Sequence, residues 1–103
     1  MAVDLRGTQT YPHPKKISNV SIATMEIKLP PSARKISFYS PAKKVYVSKD
    51  ATDGGSLPAD YWEIPSGQGY EMQIGTGLQQ PQSLFISVDS GTGTVFLLLE
   101  EDK

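Results

Sequence analysis

The feature that most limits what this chain can fold into is a two-residue alternation of apolar and polar side chains that returns about every ten residues. Ile36 and Phe38 share one parity, as do Val45 and Val47, Trp62 and Ile64, then Tyr70, Met72 and Ile74, and later Leu84, Ile86 and Val88. Successive side chains of a strand point to opposite faces, so each run presents one apolar face and one wetter face. No window sustains apolar residues at i, i+3, i+4 and i+7, the spacing a helix requires. Turn-forming residues punctuate the runs: Pro30-Pro31, Ser40-Pro41-Ala42, KDATDGGSLPAD at 49–60, PSGQG at 65–69 and DSGTG at 89–93. The expected class is all-β, a single antiparallel β-sandwich or jelly-roll-like barrel of about seven or eight short strands. A five-stranded oligonucleotide-binding barrel is the competing architecture.

The chain has 103 residues and no cysteine, so one core must hold without disulfide or thiolate-metal staples. Residues 8–16 carry Pro12, His13, Pro14 and two lysines. Each proline lacks an amide donor and biases its predecessor toward extended backbone, so 1–16 is expected to be an extended arm and 17–103 the sandwich. Asp4 and Arg6 stand where a signal peptide needs an apolar run, so no secretion signal is expected. The longest apolar run, at 95–99, is far short of the ~20 residues that span a bilayer as a helix, so no membrane role is expected.

Between 17 and 29 the alternation slips: Val20 and Ile22 share even parity, whereas Met25, Ile27 and Leu29 share odd parity. Either a β-bulge near Ala23 and Thr24 or a strand that leaves one sheet for the other accounts for the extra residue. The segment YWEIPSGQGYEMQI reads as a hairpin, and SLFISV followed by TVFLLLE as a closing pair across a second hairpin turn. The run Val95-Phe96-Leu97-Leu98-Leu99 does not alternate at all, so both of its faces are expected to be dry. One set faces the core. The other, Phe96 and Leu98, is either covered by a loop or the arm, or forms a subunit interface.

Charge is divided unevenly along the chain. Residues 1–49 hold nine bases against two acids, and 50–103 hold nine acids against one base, for a net charge of −1. Either basic and acidic strands pair within one molecule, or oppositely charged faces join subunits. Tyr11, Phe38, Tyr39 and Tyr46 among the bases raise the possibility of single-strand nucleic-acid stacking, but the acidic second half would repel phosphates. Nucleic acid is therefore not the expected partner.

Signs of chemistry are weak. His13, the only histidine, sits between two prolines without an orienting carboxylate. Asp50-Ala-Thr-Asp53-Gly54-Gly55 begins like a calcium loop but lacks the later acids and the closing glutamate. Neither Gly67-Gln-Gly69 nor Gly91-Thr-Gly93 opens a helix that could cradle phosphate, and no serine lies in a Gly-x-Ser-x-Gly elbow. Glu100, Glu101 and Asp102 crowd a terminal tail. The expectation is a non-enzymatic protein with no cofactor and no metal.

The polar, prolyl arm, the VSIATMEIKLP strand, the VYVSKD strand with its acidic glycine loop, YWEIPSGQGYEMQI and the SLFISVDSGTGTVFLLLE ending together resemble small β-sandwich accessory proteins of tailed-phage virions. Head decoration, or cement, proteins are the most similar group, and the resemblance runs from Ile17 onward. It implies a non-enzymatic virion protein, made in the host cytoplasm, that forms a homo-oligomer, most often a trimer, and clamps neighbouring capsid subunits. Head–tail connector and tail-fibre attachment roles are compatible with the same pattern. On this reading Arg6, Tyr11, His13, Lys15 and Lys16 of the arm are candidates for docking to capsid or other virion proteins, and Phe96 and Leu98 for subunit contact.

Overall fold

The computed structural model describes residues 3–4, 15–29, 33–49, 51–73 and 83–101. Among them are nine strands and no helix: β1 (Val3–Asp4), β2 (Lys15–Ser21), β3 (Met25–Lys28), β4 (Ala33–Tyr39), β5 (Val45–Ser48), β6 (Trp62–Ile64), β7 (Gly69–Gln73), β8 (Ser83–Val88) and β9 (Thr92–Glu101). They form two sheets, ordered β1-β3-β8-β5-β6 and β2-β9-β4-β7. All ladders are antiparallel except the short one between β1 and β3. The expected sandwich is present.

Its topology is more specific than the alternation could reveal. From β2 onward the chain changes sheet at every connection except the one between β5 and β6. That order, β2-β9-β4-β7 over β3-β8-β5-β6, is a jelly roll, two Greek keys wrapped into facing four-stranded sheets, with β1 added at one edge. A five-stranded oligonucleotide-binding barrel is excluded by it.

The core forms where the inner faces meet, from the residues whose parity the sequence marks. Ile36 and Phe38 of β4, Val45 and Val47 of β5, Ile86 of β8 and Leu97 of β9 are fully enclosed. Each such side chain contributes about 1.5–3 kcal/mol relative to remaining in water.

Two expected hairpins are not hairpins. β6 pairs with β5 while β7 pairs with β4, so Pro65-Ser66-Gly67-Gln68 is an arch between sheets. Likewise β8 pairs with β3 and β5, and β9 with β2 and β4, so residues 89–91 form another arch. Alternation tells which face of a strand is apolar and is silent about which strand lies beside it. An arch lets each strand lay that face on the opposite sheet. Gly67, at φ 78°, supplies the left-handed residue, and its amide donates to the Ser40 carbonyl at 2.8 Å. Ser40, itself buried, donates its hydroxyl to the Thr94 carbonyl at 2.7 Å, so one residue ties the β4–β5 and β6–β7 arches to β9.

The slipped alternation at 17–29 has two causes. β2 shifts register between Ile17 and Val20 against β9, and the chain then leaves that sheet at 22–24 to begin β3 in the other. Ile22, expected to share a face with buried Val20, stands at this corner 62% exposed. Lys15 and Lys16 are also displaced from their expected place: they open β2, opposite Leu97 and Phe96, and belong to the sheet rather than to an arm ending at residue 16.

The strand enclosed on both sides is β8, not β9. Leu84, Phe85, Ile86, Ser87 and Val88 are all buried, although Phe85 and Ser87 point away from the core. The connection after β5 provides the cover. Gly54 donates to the Thr24 carbonyl at 2.6 Å, Thr24 donates to the Gly55 carbonyl at 3.0 Å and its hydroxyl to the Thr52 carbonyl at 2.5 Å, and the Glu26 amide donates to Asp53 Oδ1 at 3.0 Å. Since β8 lies between β5 and β3, a loop that leaves β5 and grips the start of β3 must cross the outside of β8.

Candidate functional site

The opposite sheet has no comparable cover among the described residues. Along β9, Val95, Leu97 and Leu99 are buried while Phe96 and Leu98 are half-buried on the outer face. Register fixes their neighbours: Phe96 lies between Lys16 of β2 and Tyr39 of β4, and Leu98 lies opposite Ser37. The Tyr39 and Phe96 rings meet with centroids 6.1 Å apart and planes tilted by 33°, within the range in which aromatic pairs attract. Gly69 stands opposite Tyr39 on β7, and its missing side chain leaves open space that a Cβ would enter without contact.

The result is a depression of about 380 Å³ lined by Ser37, Phe38, Tyr39, Gly69, Phe96 and Leu98. Tyr39, Phe96 and Leu98 supply its large side chains and Ser37 and Gly69 its small ones. Charged residues frame it. Lys35 sits between Glu71 at 3.5 Å and Glu100 at 3.6 Å, and Arg34 reaches Glu100 at 2.9 Å.

These ion pairs also bear on the uneven charge of the two halves. Basic β4 lies between acidic β7 and β9, and Lys44 before β5 approaches Glu63 of β6 at 3.7 Å. Each pair joins a base of the first half to an acid of the second within one molecule. All are solvated pairs worth about 0–1 kcal/mol, which leaves the apolar strip as the chemically distinctive part of this face. Phe38, considered as a stacking ring, is wholly enclosed in the core.

Of the residues singled out in the sequence, Phe96 and Leu98 come together on this outer face with Lys16 at its edge, while Lys15 stands opposite Leu97. Arg6, Tyr11 and His13 lie outside the described residues. Sequence reasoning noted Tyr39 only as a stacking ring and Gly69 only as a turn residue, and did not place them or Ser37 beside Phe96 and Leu98, where they complete the depression. Tyr39 could have been found as the outward neighbour of Phe38, but the pairing of β4 with β9 spans more than fifty residues and leaves no local trace. Among the described residues no three His, Cys, Asp or Glu side chains gather where they could hold one metal ion.

Comparison with known proteins finds no matching family model, no matching curated protein and no matching solved structure.

Proposed function

We propose that this chain is a non-enzymatic structural protein of a tailed-phage virion, which fastens onto neighbouring capsid subunits and self-associates, as a trimer, through the outer face of the β2-β9-β4-β7 sheet. One observation carries the adhesive part of this reading: the two sheets are finished differently. Among the described residues, the outer side chains of β8 are buried beneath the chain's own loop, whereas in the middle of the other sheet Tyr39 is exposed and Phe96 and Leu98 are only partly covered. Phe96 and Leu98 are already partly covered, so completing their burial contributes about 1–2 kcal/mol per protomer before the cost of association. The virion part rests on the resemblance from Ile17 onward. Attachment at the head–tail junction or to a tail fibre would use the same strip.

Mass spectrometry of purified particles tests the assignment. The chain is expected at a fixed stoichiometry to the major capsid subunit. Recovery with detached tails alone would move it to the attachment role, and absence from all particles made by cells that express it would refute both.

A further inference from the structure

A second concave surface belongs to the other sheet from the apolar strip, where the β5–β6 ladder opens into its long connection. It is a cleft of about 490 Å³ lined by Lys49, Pro58, Ala59, Asp60, Tyr61 and Trp62, within the ~300–1,000 Å³ range of small-molecule sites. Tyr61 and Trp62 are 42% and 41% exposed. Two large adjacent aromatic side chains left this wet serve no purpose in the core, and burial of either would be favourable.

Their setting is firm. Tyr61 meets Tyr46 edge-on, with centroids 5.1 Å apart and planes at 76°, and β6 holds Trp62 opposite Val47. The connection that carries the cleft is itself bound to Thr24 and Glu26, so a ligand would meet a surface that is already shaped.

Charge then narrows the ligand. Among the described residues one carboxylate, Asp60, and one ammonium, Lys49, line the cleft, so an anion meets a like charge at one wall and a cation at the other. A wholly apolar ligand would desolvate both charges without pairing them. A neutral molecule with an apolar face and hydroxyl edges satisfies every wall. We propose that this cleft binds a neutral saccharide, the C–H face of a pyranose ring packing on Trp62 and Tyr61 while its hydroxyls donate to Asp60 and accept from Lys49. This inference is independent of the proposed self-association.

Trp62 is the only tryptophan in the chain, so its emission reports on the cleft directly. Titrating the full chain with maltohexaose, cellohexaose, chitohexaose and mannohexaose, and with O-polysaccharide released from lipopolysaccharide, is expected to give a saturable change for at least one of them. A response to the short sugars identifies the ring recognised, and a response to O-polysaccharide alone places the ligand on a cell surface. Asp60→Asn, Lys49→Met and Tyr61→Ala, each with wild-type circular dichroism, are expected to weaken binding about tenfold. Flat titrations across the whole panel, binding unchanged in all three variants, or saturation instead by adenosine monophosphate or tetramethylammonium would overturn the proposal.

Discussion

Leu97 and Leu98 are consecutive and chemically identical, yet the structure assigns them opposite roles, which makes truncating each in turn a sharp test. Leu97 is fully enclosed between the sheets, opposite Phe38 of β4 and Lys15 of β2. Replacing it by alanine removes its transfer energy and leaves a cavity that a laced sandwich cannot collapse into, a cost of about 2–5 kcal/mol. With a urea dependence of about 1–3 kcal/mol per M, the midpoint should fall by roughly 1–2 M. Leu98 lies half-buried over Ser37, and no enclosed space opens when it is shortened. Leu98→Ala should cost about 1 kcal/mol or less in dilute protein. As protein concentration rises the cost of Leu98→Ala should grow, because association stabilises only the folded chain, while that of Leu97→Ala should stay constant. The assay is urea unfolding followed by Trp62 emission and far-ultraviolet circular dichroism across a dilution series. Equal losses for the two variants at the lowest concentration would refute the assignment of faces along β9.

Two further outcomes test how the sandwich is laced. Thr24→Val keeps the side chain's shape but removes the hydroxyl donated to the Thr52 carbonyl; it should cost about 0.5–1.5 kcal/mol and speed hydrogen exchange at the Gly54 amide. Gly67→Ala should cost about 1–2 kcal/mol because Gly67 adopts φ 78°, whereas Gly69→Ala, with ordinary backbone and open space above it, should be near neutral by the same unfolding measurement.

Much of the fold was legible because strand parity is a local property. Ile36, Phe38, Val45, Val47, Leu84 and Ile86 are buried as their alternation requires. Partnership between strands is not local. The glycine and proline of 65–69 permit a hairpin or an arch equally well, and the choice falls to Ser40, some twenty-five residues earlier, which accepts the Gly67 amide. The same limit explains why β8 rather than β9 is dry on both sides: Ser87 is buried on a strand that the 51–61 loop crosses to reach Thr24, a contact between segments distant in sequence. Phe96 and Leu98 could be singled out because five apolar residues in succession cannot all face one core. Their companions Tyr39 and Gly69 depend on β4 and β7 lying beside β9, which no nearby residue announces.

The adhesive role of the open sheet face is tested most directly by the solution mass of the wild-type chain beside Leu98→Glu, measured by light scattering. The wild type should weigh near three times the 11.2 kDa chain, and the variant, folded by circular dichroism, should weigh as one chain, since a carboxylate there would be desolvated unpaired. A wild type that is monomeric at every concentration, or a Leu98→Glu variant that keeps the wild-type mass, would contradict it.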